Sequence, residues 1–181
     1  LMADFVHLTN KTEYSLSEGA LPIARIAELC QSFSMPAVGI SDNNNMFGAL
    51  EFSEQIAKVG VQPILGCNIK IKTPKEYLHE NIEDNDLYFY LNIFSKNNEG
   101  YENLLKCVSN AYTFNKGNAY VTVDDLIKFK DGLIILSGGN NSILTHSTGH
   151  MITKQSQQFI SDFKKEFNDN FYIEIQRFGS V

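Results

Sequence analysis

The stretch MPAVGISDNNNMFGALEFSEQIAKVGVQPILGCNIKI, residues 35–71, decides the fold. Ala37 to Ile40 is a short run of small and branched apolar residues, the pattern of a buried strand. An asparagine run, Asn43 to Asn45, follows and offers side chains that cap a helix. Ala49, Phe52, Ile56 and Val59 then recur at helical spacing, and Gly60 is a natural stop. Pro63 to Ile71 returns to strand. Strand, helix and strand in this order predict a parallel unit joined by a crossover helix.

The same alternation extends both ways. Upstream, Phe5 to Leu8 reads as a short strand. Pro22 suits the first turn of a helix carrying Ile23, Ile26, Ala27, Cys30 and Phe33. Downstream, residues 73–86 are polar, with Glu83, Asp84 and Asp86, and predict a surface loop. Leu87 to Phe94 is a fourth strand, and Tyr101, Leu104, Leu105, Val108 and Tyr112 form a helical stripe. Thr122 to Asp125 is spaced as a capping box, with a short helix at Leu126 to Phe129. Leu133 to Leu136 is a fifth strand. Phe159, Ile160, Phe163 and Phe167 mark a last helix, and Phe171 to Ile175 a sixth strand. Strands separated by helices imply an α/β fold with a parallel sheet. Chemistry in such folds sits at the C-terminal strand ends. Here those ends are Thr9 to Lys11, Asp42 to Asn45, Cys67 and Asn68, Phe94 and Ser95, Ser137 to Asn140, and Gln176 to Gly179.

The chain has 181 residues, enough for one domain or part of a larger one. With 43% hydrophobic and 20% charged residues it is too apolar for intrinsic disorder. A net charge of −6 leaves no basic surplus to displace counterions, so the chain is not expected to hold DNA by itself. No run reaches the roughly 18 apolar residues of a membrane helix. The opening LMADFVHL lacks the basic-then-apolar pattern of a signal peptide. Cys30, Cys67 and Cys107 have no metal spacing and read as buried residues of a reduced, cytoplasmic protein.

The strand ends are poor in catalytic groups. A hydrolytic metal site needs imidazoles and carboxylates converging from several strands. His7 lies within the expected first strand and reads as a core histidine. His79 falls in the acidic loop, and His146 and His150 share a loop-like stretch with Gly149. No nucleophile elbow, C-x-x-C pair or phosphate loop is present. Ser137 to Asn141 is a turn whose amides could cradle an anion, or a plain strand-to-loop turn. Asp42 is an acid at a strand end, suited to catalysis or to capping a turn, and Lys11 is expected to pair with it.

Six segments carry a resemblance. They are FVHLTNKTEYSLSEGA (5–20), MPAVGISDNNNMFGALEF (35–52), QPILGCNIKI (62–71), FSKNNEGYENLLKCVS (94–109), DGLIILSGG (131–139) and FYIEIQRFG (171–179). In this order and spacing the chain resembles the N-terminal PHP (polymerase and histidinol phosphatase) domain of the bacterial DNA polymerase III alpha-subunit family. The K-N-x-x-G-Y-x-N-L stretch from Lys96 to Leu104 is specific to that polymerase class. The resemblance implies a PHP-type distorted (β/α)7 barrel spanning residues 1–181, truncated on its C-terminal side. It also implies that the palm, thumb and fingers, and the Mg2+ of the polymerase palm, belong to the remainder of the alpha chain.

In metal-loaded family members the PHP site is a multinuclear cluster. The resemblance places its H-x-H pair on Thr9 and Lys11, and its Asp on Glu18, which keeps a carboxylate. The His of T-D-H-G-N falls on Asn43, although Asp42 and Asn45 match. The Glu after G-C falls on Asn68, a later His on Tyr90, and the Cys of S-G-C on Gly139. Only Glu18 of these seven positions keeps a ligand type, and a cation at Lys11 repels metal. Arg177 matches the family's Q-R-x-G, with a structural pairing role.

The expectation is a vestigial site with no bound metal or other cofactor and no activity of its own, in a subunit that is a DNA-directed DNA polymerase. The implied partners are the 3′–5′ proofreading exonuclease subunit and the rest of the polymerase, with DNA reached only through the parent enzyme and no membrane. Two other readings stay open: a metal-dependent phosphoesterase or pyrophosphatase of the superfamily, and an anion-binding module using Lys11 and Arg177.

Overall fold

The computed structural model describes residues 5–78, 87–114, 117–139, 142–144 and 153–176. Along the chain run α1 (Ile23–Ser32), β1 (Ala37–Asn43), α2 (Ala49–Lys58), β2 (Gln62–Lys72), β3 (Tyr88–Ser95), α3 (Asn98–Phe114), α4 (Val123–Lys128), β4 (Leu133–Leu136), α5 (Lys154–Phe167) and β5 (Phe171–Tyr172). The sheet order is β1-β2-β3-β4-β5, so strands adjacent in sequence are adjacent in space.

The decisive stretch folds as read. β1 and β2 are parallel, with α2 crossing between them, and Gly60 adopts φ +76° just beyond the helix. The rest of the sheet is mixed, which corrects the all-parallel expectation. β3 runs antiparallel to both β2 and β4, and β4 pairs parallel with β5. The cause is the β2–β3 connection. A parallel return needs a crossover, usually helical. The described part of this connection holds no α-helix, only 3-10 structure at Lys75–Tyr77 and at Leu87, and β3 returns antiparallel.

Local expectations were corrected elsewhere. Phe5 to Leu8 is not a regular strand. It is an extended segment laid along β1, with Gly39 N donating to His7 O (2.7 Å) and Ser41 N to Asn10 O (2.9 Å). His7 is exposed rather than in the core, its ring edge-on to Phe5. The asparagine run does not cap α2, whose N-cap is Gly48; Asn45 Oδ1 instead accepts from Phe47 N in the turn before it. Pro22 stands at the N-cap of α1, where the Glu13 carboxylate accepts from Ile23 N (3.1 Å). The buried row of α3 is Leu104, Cys107 and Ala111, while Tyr112 lies on its exposed flank. Thr73 and Tyr77, expected on a surface loop, are buried, and the Tyr77 hydroxyl donates to Asp162 (2.8 Å). The last strand ends at Tyr172, because Glu174 N turns to donate to Ser137 Oγ (2.9 Å). At α4, Thr122 Oγ1 accepts from Asp125 N, and the Thr122 hydroxyl, not its backbone N–H, reaches the Asp125 carboxylate.

Two cores lie side by side on one face of the sheet. Val38 and Ile40 of β1 pack with Ile23, Ile26, Phe52 and Ile56 of α1 and α2. Cys67, Ile69 and Ile71 of β2 and Phe89, Leu91 and Ile93 of β3 pack with Leu104, Cys107, Phe159 and Phe163 of α3 and α5. Strand side chains alternate between faces. Odd-numbered residues of β2 and β3 therefore face this core, and the even-numbered Asn68, Tyr90 and Asn92 are left for the opposite face. On β1 the even positions face α1 and α2, which leaves Ser41 and Asn43 for that same opposite face. Register aligns Asn43 with Asn68 and Asn68 with Asn92, a row of three amides across three strands. No described helix is long and apolar enough to cross a membrane.

Candidate functional site

The asparagine row floors a cavity of about 200 Å³ lined by Thr9, Lys11, Glu18, Asn43, Asn68, Tyr90, Asn92, Gly138 and Gln176. Six of the seven positions singled out in the sequence, Thr9, Lys11, Glu18, Asn43, Asn68 and Tyr90, thus meet in one place. The seventh, Gly139, adjoins it: a Cβ there would collide with the Gln176 amide. Arg177, His79, His146 and His150 lie outside the described residues. So do Asn140, Asn141, the acidic residues 83–86, and the strand-end residues beyond Gln176.

Lys11 reaches across to β1. Its Nζ donates to Ser41 O and Asn43 Oδ1, both at 2.6 Å. Burial lowers its pKa, while the carboxylates of Glu18, Asp42 and Glu174 pull it back upward. The expected Lys11–Asp42 ion pair is absent. Asp42 is an even-numbered β1 residue and faces away from the cavity. It is 1% exposed and accepts from Thr12 N (2.7 Å), Thr12 Oγ1 (2.7 Å) and Ser15 Oγ (2.6 Å). Of the two roles read for it, it takes the turn-fixing one: it folds the Thr12–Ser15 turn, which leads on to Glu18.

Sequence reading missed the hub of the site, Asn92. Its Oδ1 accepts from Ser41 Oγ (2.6 Å) and Asn68 Nδ2 (2.8 Å), and its Nδ2 donates to Glu174 (2.7 Å). Gln176 Nε2 donates to the other Glu174 oxygen (2.6 Å). The available signal was a lone amide within the apolar run LYFYLNIF. Because β3 is antiparallel, its middle, and not the expected end at Phe94 and Ser95, faces the cavity. Glu174 gave no comparable signal.

Two acids stand near the lysine, Glu18 and Glu174, among neutral amides and hydroxyls. Burial, and secondarily Glu18, raises the pKa of Tyr90, which stays a neutral phenol. Cys67 is no thiolate ligand: burial pushes it up to about 12, and its Sγ donates to the carbonyls of Asp42 and Asn45. Among the described residues no group of three or more His, Cys, Asp or Glu could hold a metal. A cluster of divalent ions needs several anionic or imidazole donors to offset dehydration. The donors present, with an ammonium hydrogen-bonded among them, do not fit such a cluster.

A mixed sheet flanked by helices, with a polar cavity built from an N-terminal lysine segment and successive strand positions, defines a PHP-type α/β domain. The family model described as "PHP domain" matches residues 7–178, and the chain belongs to that family. The resemblance read from the sequence is borne out by its relatives. The chain is 30% identical over 180 residues to DNA polymerase III subunit alpha of Haemophilus influenzae, covering 97% of this chain and 14% of the relative. It is 33% identical over 176 residues to the same subunit of Rickettsia felis, covering 96% and 14%. The chain therefore spans about one seventh of the length of these curated relatives. Solved structures share the fold. One is a Bifidobacterium adolescentis protein assigned as a metal-dependent phosphoesterase, with TM-score 0.56, 11% identity and coverage of 87% of this chain and 74% of that one. Another is an amidohydrolase from Chromobacterium violaceum with bound sulfate and no metal, with TM-score 0.58, 10% identity and coverage of 93% and 76%.

Proposed function

We propose that this chain is the PHP domain of a replicative DNA polymerase alpha chain, inactive in itself. In this reading it works in the cytoplasm as a scaffold that docks the 3′–5′ proofreading exonuclease subunit. A tether of this kind raises the effective concentration of exonuclease near the primer end without catalysis. The observation that carries the reading is Lys11, whose ammonium is hydrogen-bonded to Ser41 O and Asn43 Oδ1 where a metal cluster would need donors free of a competing cation. The polymerase relatives support the context, and DNA synthesis would belong to the rest of the alpha chain.

The test has two parts on one protein. The chain should bind the cognate exonuclease subunit saturably in an interferometry titration. It should not turn over a chromogenic phosphodiester with manganese or zinc present. Failure to bind contradicts the scaffold. Metal-dependent turnover supports the alternative, a phosphoesterase or pyrophosphatase of the superfamily, which the remaining carboxylates Glu18 and Glu174 favour.

A further inference from the structure

We infer that Lys11 is the resident cation of this cavity, and that with its side chain removed the cavity becomes a binding site for a small primary ammonium ion. The inference rests on the metal-free reading above but goes beyond it, since a cavity can lack metals without needing a cation in their place.

The surroundings of Nζ are oxygen acceptors and carboxylate charges from separate parts of the chain. Ser41 O and Asn43 Oδ1 on β1 accept directly, each at 2.6 Å. The charges of Glu18, from the turn before α1, and Glu174, after β5, also act on it. Glu174 is held in place by Asn92 and Gln176 and cannot swing away without breaking both bonds. Lys11 belongs to none of these elements. It comes from the N-terminal segment, whose other polar ties to β1 include Asn10 Nδ2 donating to Gly39 O (2.8 Å). Without an ammonium, two part-buried acceptors lose their donor, and Glu18 in the cavity and Glu174 beside it lose their nearby counter-charge. Glu18 is exposed and Lys11 and Glu174 are half-buried, so solvent screens the charges and the two acceptors left without a donor carry most of the cost.

The acceptors are carbonyl and amide oxygens at N–H···O distances. That geometry suits an ammonium with directed N–H bonds, and suits poorly a divalent ion that must shed tightly held water. Asn43 and Asn68 thus serve as neutral acceptor and neutral link, where further carboxylates would add to the negative charge that Glu18 and Glu174 already set against one lysine.

The experiment compares wild type with Lys11→Met, which keeps the stem without the charge, and with Lys11→Ala, which opens the space. Both variants should melt about 5 °C or more below wild type. Propylammonium chloride at tens of millimolar should return most of the loss in Lys11→Ala and leave wild type unmoved. Tetramethylammonium, which has no N–H, should return none. A Lys11→Met variant as stable as wild type overturns the inference, as does equal rescue by the two salts. If neither variant folds, the wild type decides. Its lysine ammonium 1H–15N spectrum should contain one signal in slow exchange with water that disappears when Lys11 is selectively unlabelled; its absence overturns the inference. Stoichiometric manganese or zinc in the wild type would instead overturn the metal-free reading itself, whatever the variants do.

Discussion

Asp42→Ala separates the account from the reading of Asp42 as a site acid. The carboxylate is 1% exposed and accepts three hydrogen bonds, from Thr12 N, Thr12 Oγ1 and Ser15 Oγ, at 2.6–2.7 Å. Each hydrogen bond to a charged group contributes roughly 1.5–3 kcal/mol. The sum overstates the loss, because deletion also removes the cost of burying the charge. Measured losses on breaking one side of a buried charged arrangement run to about 3–5 kcal/mol. For a chain of this size that is a fall in melting temperature of about 10 °C, at ~2–4 °C per kcal/mol. Asp42→Asn should lose less. Its Oδ1 can keep the bonds from Thr12 N and Ser15 Oγ, while the Thr12 hydroxyl rotates to accept from Nδ2. Thermal and urea denaturation followed by circular dichroism read both variants. An Asp42→Ala protein within about 0.5 kcal/mol of wild type would refute the reasoning. So would an Asn variant no better than the Ala variant.

Three further outcomes follow from the same geometry. Asn92→Ala strips Ser41 Oγ and Asn68 Nδ2 of their acceptor and Glu174 of a donor, so urea titration should show a loss of about 2–4 kcal/mol. Gly100→Ala drives a Cβ from α3 into the Gly132 carbonyl and should cost about 2–3 kcal/mol, read by the same titration. Cys67 and Cys107 are each pushed up to about 12 by burial. The unfolded thiols ionise near pH 8.5, so above that pH the unfolded state releases protons that the fold retains. Stability then falls as pH rises toward 12, by up to about 1.4 kcal/mol per pH unit per thiol. Iodoacetamide at pH 9 should accordingly leave both thiols unmodified in native protein and label them once urea is added.

Legibility followed periodicity. Long apolar patterns such as Ala49–Phe52–Ile56 and Phe159–Phe163–Phe167 located their helices, and Leu133 to Leu136 its strand, to within a few residues. Strand direction was not legible, because an apolar run reads alike in either sense. Among the described residues of the β2–β3 connection there is no α-helix to carry a parallel crossover, and β3 runs antiparallel. That reversal decided which end of β3 reached the cavity and hid Asn92. His7 and the helical flank of Tyr112 were misplaced for a related reason: short apolar stretches do not say which side will be covered. The site positions were found through motif order, not through chemistry, since amides and a lysine at strand ends carry no catalytic signature. Glu174 was missed because its role depends on Asn92 and Gln176, contacts that only the folded sheet creates.

In the reading proposed above, the PHP cavity holds no catalytic metal. The most direct test is metal content by inductively coupled plasma mass spectrometry, on the purified chain and again after exposure to excess manganese and zinc followed by dialysis. The account predicts only trace metal in both samples. Two or more metal ions per chain would contradict it.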